Sequence, residues 1–553
     1  MLFLYKPGFA VFITALSVFF LFLPSPGEGS STAPLNPAFL KEQAGLSCLA
    51  SSGMSKKVFA PIGYGRPAAK RPSPLNLDHL SPGGLSAGTF SAGKTDAARF
   101  PVRFDLREQG KLSQIHDQAP FGTCWTFAAM AAVESNLLPG DPRDFSEWHL
   151  AYWAYNENPQ GFPPFTVYGE VGLFDQGGDD WRAVAVLARG TGPVKESDLP
   201  YNGPLPSVNP GLKREKLLTG ALYLPYPAAD IWRNGYPLFV ISELKSALMS
   251  YGALSIGMMA TPDMADPAGG EFWNPAASAF YYNGERGANH AVNVVGWDDT
   301  FPKENFVARP ENDGAWIVRN SWGERFGEKG YFYISYEDTS LDSGIVYFTS
   351  QPYDYTIINQ YDPLGWVTSF SPLPVPEAGT AAWMANVFRA GESQLLKAVS
   401  LYAAAYGTEY EIAVASLRGT TPAEKSSVLL RQSGILQKPG YHTVHLDSPV
   451  FIPSGTRFSV EVKLATPGYP YPLPVEEPVA GYSDGASALP GQSFYSSDGI
   501  SWKDLADEKP DANFCVKAMG IPGNPGGGCS STAFPLSGML LLPLLFLGRK
   551  KRF

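Results

Sequence analysis

Apolar and polar positions divide this chain into three kinds of segment. Trp125 and Phe127 open an apolar face on a helix that begins at Cys124 and runs towards Glu134, and the turn at Gly122 and Thr123 lets the chain swing into it. Far downstream, His290 stands at the head of a strand-like run ending near Trp297, and a second β-branched run from Trp316 delivers Asn320 at its end. Beyond Tyr361 the period changes. Alternation in Phe458 to Leu464, with short runs such as Ala398 to Tyr402 and Glu411 to Ser416 broken by turn residues, predicts an all-β sandwich. Residues 30–99 are rich in Pro, Gly, Ala and Ser, with few periodic apolar stretches apart from Asn36 to Lys41, and such a composition buries little core.

The two ends carry a further signal. An apolar run from Phe9 to Leu23, preceded by Lys6 and followed by small turn-forming residues, predicts a secretory signal peptide over 1–29, since the run is shorter than the roughly 20 residues that span a bilayer. At the other end, Gly523 to Cys529, an apolar run from Ala533 to Leu547 and the basic group Arg549 to Arg552 predict a Gly-rich linker, a short transmembrane segment and a basic tail over 521–553, with the last residues held inside the cell. The expected location is therefore the cell surface or beyond, with transient or permanent anchoring. At 553 residues the chain holds two or three domains, and a net charge of −10 leaves no basic footprint for nucleic acid. The four cysteines, Cys48, Cys124, Cys515 and Cys529, form no disulfide framework, and Cys515 is expected to be buried and unpaired.

Candidate chemistry centres on Cys124. A helix N-terminus favours a thiolate and leaves backbone donors free for a developing oxyanion. His290 is the candidate base, Asn320 its orienting partner, Trp322 the shield of that bond, and Gln118 an oxyanion donor six residues before the cysteine. Taken singly, a buried cysteine, a core histidine and an Asn-Ser turn are ordinary structure. Their joint occurrence in this order favours chemistry. Glu147 and Glu134 read as structural acids and Asp298-Asp299 as a solvated turn. His442 and His445, three apart in a strand, face opposite sides, so the histidines form no metal cluster.

From Phe100 to Pro352 the chain resembles the papain-like (C1) cysteine peptidases, the class that includes the cathepsins. The resemblance rests on Gln118 and Cys124, on His290 with its Ala-Val strand, and on Asn320-Ser-Trp-Gly323 continued by Gly330 to Tyr333. It implies an α+β two-lobe peptidase, with a helical left lobe and a β-barrel-like right lobe, over 100–352. Peptide hydrolysis would proceed by a Cys124–His290 thiolate–imidazolium pair and a thioester acyl-enzyme, with no metal or cofactor. Gly177 and Gly178 would bind the substrate backbone, with Trp322 beside it, and residues 30–99 would be either a propeptide blocking Cys124 or a flexible linker. Two family cysteines are absent, Phe121 and Leu173 to Gln176 standing where they would pair, so apolar packing is expected to replace the cross-link. His290 follows Cys124 by 166 residues, which implies an insertion, placed at Asn209 to Tyr236 and expected to border the substrate cleft. Residues 353–520 are similar to the lectin-like domain that follows the peptidase in some bacterial C1 proteins, through Trp383 to Phe388 and Ser493 to Trp502. Glycans are then a second expected ligand beside protein substrates. The tail resembles Synergistetes-type sorting signals, which implies processing near Cys529. The competing reading is a catalytically silent surface adhesin or carbohydrate-binding protein on a peptidase scaffold, and a transglutaminase-like acyltransferase stands more distant.

Overall fold

The computed structural model describes residues 30–51, 61–63, 66–67, 70–80, 100–167, 172–202, 207–224, 237–374 and 376–523. The expected signal peptide, Cys529 and the apolar tail lie outside the described residues. Among the described residues no helix is long and apolar enough to cross a membrane.

Helix α1 (Pro37–Ser51) lies in the N-terminal segment, while α2 (Cys124–Leu137), α3 (Glu147–Tyr155) and α4 (Asp180–Ala188) pack together around one core. Helix α2 is buried from Cys124 to Ser135, because its sequence is apolar on nearly every side. Side-chain oxygens cap the other two, Ser146 accepting from the His149 amide and Asp179 from the Arg182 amide. Helix α5 (Pro237–Tyr251) packs instead on the sheet of the second lobe.

That sheet sets the site. The strand His290–Asp298 is buried along nearly its whole length and runs antiparallel between Leu254–Met258 and Ala315–Arg319, with Val292 opposite Ile256 and Val294 opposite Val318. The Asn293 side chain donates to the Ala128 carbonyl at 2.8 Å, which pins this strand against α2. The turn after it is less free than its composition implies. Asp298 caps Thr300 as expected, but Asp299 accepts from Lys245 of α5 at 2.5 Å and from the Tyr336 hydroxyl at 2.6 Å, because a neighbouring helix presents a cation to it.

The expected α+β peptidase fold followed by a β-rich domain is the architecture observed, with one addition. The strand Leu217–Leu224, in the expected insertion, pairs with Gly344–Ser350 on one side and with Gly440–Ile452 of the β domain on the other. A 13-stranded sheet therefore runs through both halves. A six-stranded sheet closes the β domain over a core that includes Met384, Val399, Ile412, Val460 and Val462. The described part of the insertion is thus mainly a seam between domains, with Tyr223 at its end lining a cavity beside the cleft.

The N-terminal segment departs furthest from its sequence reading. Phe39, Leu75, Leu77 and Leu80 are all buried. They complete no core of their own but add to the one beneath α2, α3 and α4, so low local hydropathy did not mean a free linker. Ser31–Thr32 even pairs antiparallel with Thr368–Ser371 of the β domain. Cys515 is free and buried, as expected.

Candidate active site

Cys124 is the first residue of α2, and its Sγ accepts the Ala291 amide at 3.3 Å. His290 precedes that amide, and its Nε2 lies 2.8 Å from Oδ1 of Asn320. The asparagine oxygen can only accept, so the bond puts the proton on Nε2 and leaves Nδ1 as the basic nitrogen. The Trp322 ring covers this pair, 4.9 Å from the imidazole, and is itself packed on Phe326. Only 3% of the surface of Trp322 is exposed, which places its ring over the His290–Asn320 bond while the cleft is covered.

Gln118 joins the same cluster through its neighbours. Its backbone amide donates to the Ser321 carbonyl, its Nε2 donates to the Phe121 carbonyl at 2.9 Å, and its Oε1 accepts from the Ser321 hydroxyl at 2.7 Å. One of the two amide protons remains for another acceptor. Ser321 was not singled out from sequence, although its place directly after Asn320 was the available signal.

Burial disfavours the thiolate form of Cys124 in this state. Cys124 is fully covered, and burial pushes its thiol up to about 12, against the pull of the Ala291 amide and the nearby Lys70. The cover is the N-terminal segment. The Lys70 amide donates to the Asn289 carbonyl at 3.0 Å and the Arg71 amide to the Gly178 carbonyl at 2.8 Å, so this segment bridges the two walls of the cleft. Gly177 adopts φ of +71°, and a Cβ on Gly178 would come within 2.4 Å of the Trp125 ring, so both glycines are required where the segment lies.

The acids read as structural have structural partners. Glu134 accepts from the Phe145 amide and from Ser113, and Glu147 pairs with His116 at 3.4 Å. His442 bonds the Lys438 carbonyl and His445 the Tyr355 hydroxyl, so neither shares a ligand with the other. Where a family disulfide would sit, the Phe121 and Phe174 rings meet edge to face at 6.0 Å, with Trp148 and Tyr201 around them. Apolar packing does occupy that place.

A thiol at a helix N-terminus, an imidazole held by an amide and a glycine-walled cleft between a helical lobe and a sheet lobe make up a papain-like peptidase fold, here followed by a β-rich domain. Residues 100–350 match the papain family cysteine protease profile and residues 358–520 the lectin like domain profile. The peptidase region is 30% identical over 264 residues to the cysteine proteinase COT44 of Brassica napus, covering 46% of this chain and 66% of that protein. It is 30% identical over 242 residues to cysteine proteinase 2 of Entamoeba histolytica, covering 42% of this chain and 62% of that one. The chain thus spans somewhat under two thirds of the length of these two curated relatives. Among solved structures, the cysteine protease and lectin-like domains of Cwp84, a surface layer associated protein of Clostridium difficile, superpose with a TM-score of 0.68 at 24% identity, over 90% of this chain and 99% of that one. A cysteine-to-alanine form of clostridial Cwp84 after propeptide cleavage aligns with a TM-score of 0.62 at 25% identity, over 76% and 99%.

Proposed function

We propose that this protein is an exported cysteine endopeptidase, made with its cleft covered by its own N-terminal segment and active once that segment leaves. The observation that carries the reading is the convergence of Cys124 Sγ, the Ala291 amide and the His290–Asn320 bond at one point of the cleft. Departure of the segment would let water reach Cys124, remove the burial that keeps the thiol neutral, and let the N-terminus of α2 favour the thiolate. Nδ1 of His290 takes the Sγ proton, and the thiolate attacks the peptide carbonyl carbon. The oxyanion is held by the Cys124 amide and the remaining Gln118 proton. His290 then gives its proton to the leaving amine as the C–N bond breaks, and water activated by the same imidazole cleaves the thioester.

Export to the surface is supported by the leader-like residues 1–29 and the apolar, basic-ended tail, and Cwp84 is a surface layer associated protein. The lectin-like domain would hold the enzyme on a glycan-bearing surface. Tyr361, Arg389, Trp502 and Asp504 line a cavity of about 1080 Å³ there, joining aromatic faces to hydrogen-bonding groups. Labelling with an epoxysuccinyl inhibitor tests the peptidase reading. One adduct on the processed chain, absent in Cys124→Ala and accompanied by casein cleavage, is expected. A chain that is neither labelled nor cleaves casein between about pH 5 and 8 would be a silent scaffold.

A further inference from the structure

We infer that Asp180 and Asp342 form a slot that selects a basic side chain, lysine above all, in the substrate segment lying across Gly178 and Asn289. The inference deepens the peptidase reading and rests on it.

The N-terminal segment supplies the template. Its backbone at Lys70 and Arg71 uses the two walls of the cleft through Asn289 and Gly178, as an extended substrate strand would. From that backbone the Lys70 side chain descends out of solvent, and its ammonium lies 3.1 Å from Asp180 and 2.7 Å from Asp342. Burial disfavours this charge, but the two carboxylates outweigh it and hold the lysine protonated above its ordinary range.

The slot is built by the peptidase, not by its occupant. Asp180, at the start of α4, accepts from the Ser255 hydroxyl at 2.5 Å and from the Tyr347 hydroxyl at 3.0 Å, which fix its carboxylate deep in the wall. Asp342 accepts from the Gly257 amide. Gly257 opens the channel between them, since a Cβ there would lie 2.7 Å from Cδ of Lys70 and 2.4 Å from Asp342 Oδ2. When the segment leaves, two fixed carboxylates face one another without a cation, an arrangement that disfavours apolar or acidic guests and rewards an ammonium or guanidinium. The geometry thus makes the covering segment a substrate mimic at this position.

The test starts from the full chain, nicked with thermolysin within residues 81–99 and separated from the released segment on a sizing column. It is incubated with a proteome-derived peptide library, cleavage sites are read by mass spectrometry, and labelling of Cys124 by the epoxysuccinyl inhibitor is followed in parallel. Lysine or arginine enriched about tenfold or more over leucine at one fixed position from the cut is expected, with that ratio falling about tenfold in Asp342→Asn. A labelled, cleaving wild type with no basic preference at any position overturns the slot and leaves the peptidase reading standing. A chain that neither labels nor cleaves overturns both. The wild-type profile alone decides the matter if Asp342→Asn does not fold.

Discussion

The Ser321 hydroxyl donates to Oε1 of Gln118 at 2.7 Å, so the residue after the histidine's partner also orients the glutamine that flanks the cysteine. Ser321 is therefore a positioning residue. With Oε1 released, only the bond to the Phe121 carbonyl still holds the Gln118 amide, so its orientation loosens and oxyanion stabilisation in the proposed mechanism weakens. Ser321→Ala is expected to lower kcat roughly fivefold with little change in KM, and Ser321→Thr to restore most of it, the hydrogen bond being worth about 1 kcal/mol. Steady-state kinetics on the processed enzyme separate this from a structural defect, which would move both parameters.

Asn320 fixes the tautomer of His290 through the 2.8 Å bond. Asn320→Ala leaves the ring free to rotate under Trp322 and should reduce kcat on the order of 10³-fold. The pH profile reports it as well: the bell-shaped optimum should narrow, because the imidazolium loses its acceptor.

Burial holds the Cys124 thiol at about 12 while the N-terminal segment is in place. The intact chain should therefore resist iodoacetamide at Cys124 up to about pH 10, whereas the processed chain should react readily at pH 7, since the thiolate is the nucleophile. Alkylation followed by peptide mass spectrometry distinguishes the two, and equal rates in both forms would contradict the covering role of the segment.

Stability should fall as pH rises above about 6.5, with His116 and Glu134 among the groups responsible. Burial opposes the charge on His116, but Glu147 and Asp144 outweigh it and raise the imidazole to about 9. Its folded value lies above its ordinary 6.5, so this stabilisation is complete below pH 6.5 and is lost as pH passes through 9. Burial likewise raises Glu134, to about 7, so the fold favours its protonated form and loses stability between about pH 4.5 and 7. Between about pH 4.5 and 6.5 buried His79, His149 and His442, whose imidazoles burial lowers, oppose Glu134, because the fold favours their neutral form. Thermal melts should therefore show Tm falling mainly from about pH 6.5 to pH 9, and His116→Asn should flatten that slope.

Phe121 stands where the family cross-link would begin, against Trp148, Phe174 and Tyr201. Phe121→Ala should cost roughly 2 kcal/mol, below the ~3–5 kcal/mol of a fully buried phenylalanine because this ring is only half-buried. Denaturant melts measure it directly.

The readable parts of this chain were those where one local pattern decides the outcome. Cys124, His290 and Asn320 each sit at the end of an element whose period is visible in sequence, and the β domain declares itself by alternation. What stayed hidden depends on partners far away along the chain. The strand Leu217–Leu224 shows no sign in its own residues that Gly440–Ile452 will pair with it. Lys70 looks like an ordinary charged residue in a Pro-rich stretch until folding brings Asp180 and Asp342 to it. Phe39 and Leu80 lie in a segment whose composition builds no core of its own, yet they bury themselves in another's.

Ser31–Thr32 lies at the margin of a four-stranded sheet, hydrogen-bonded to Thr368–Ser371. A cut C-terminal to Arg71 that releases the whole segment would strip this marginal strand away and leave Thr368–Ser371 as an open edge with unpaired amides and carbonyls. On the activation proposed above, the segment that covers the cleft and the strand that closes this sheet edge would leave together, so the accessory domain would gain an unpaired strand edge at the moment the cleft opens.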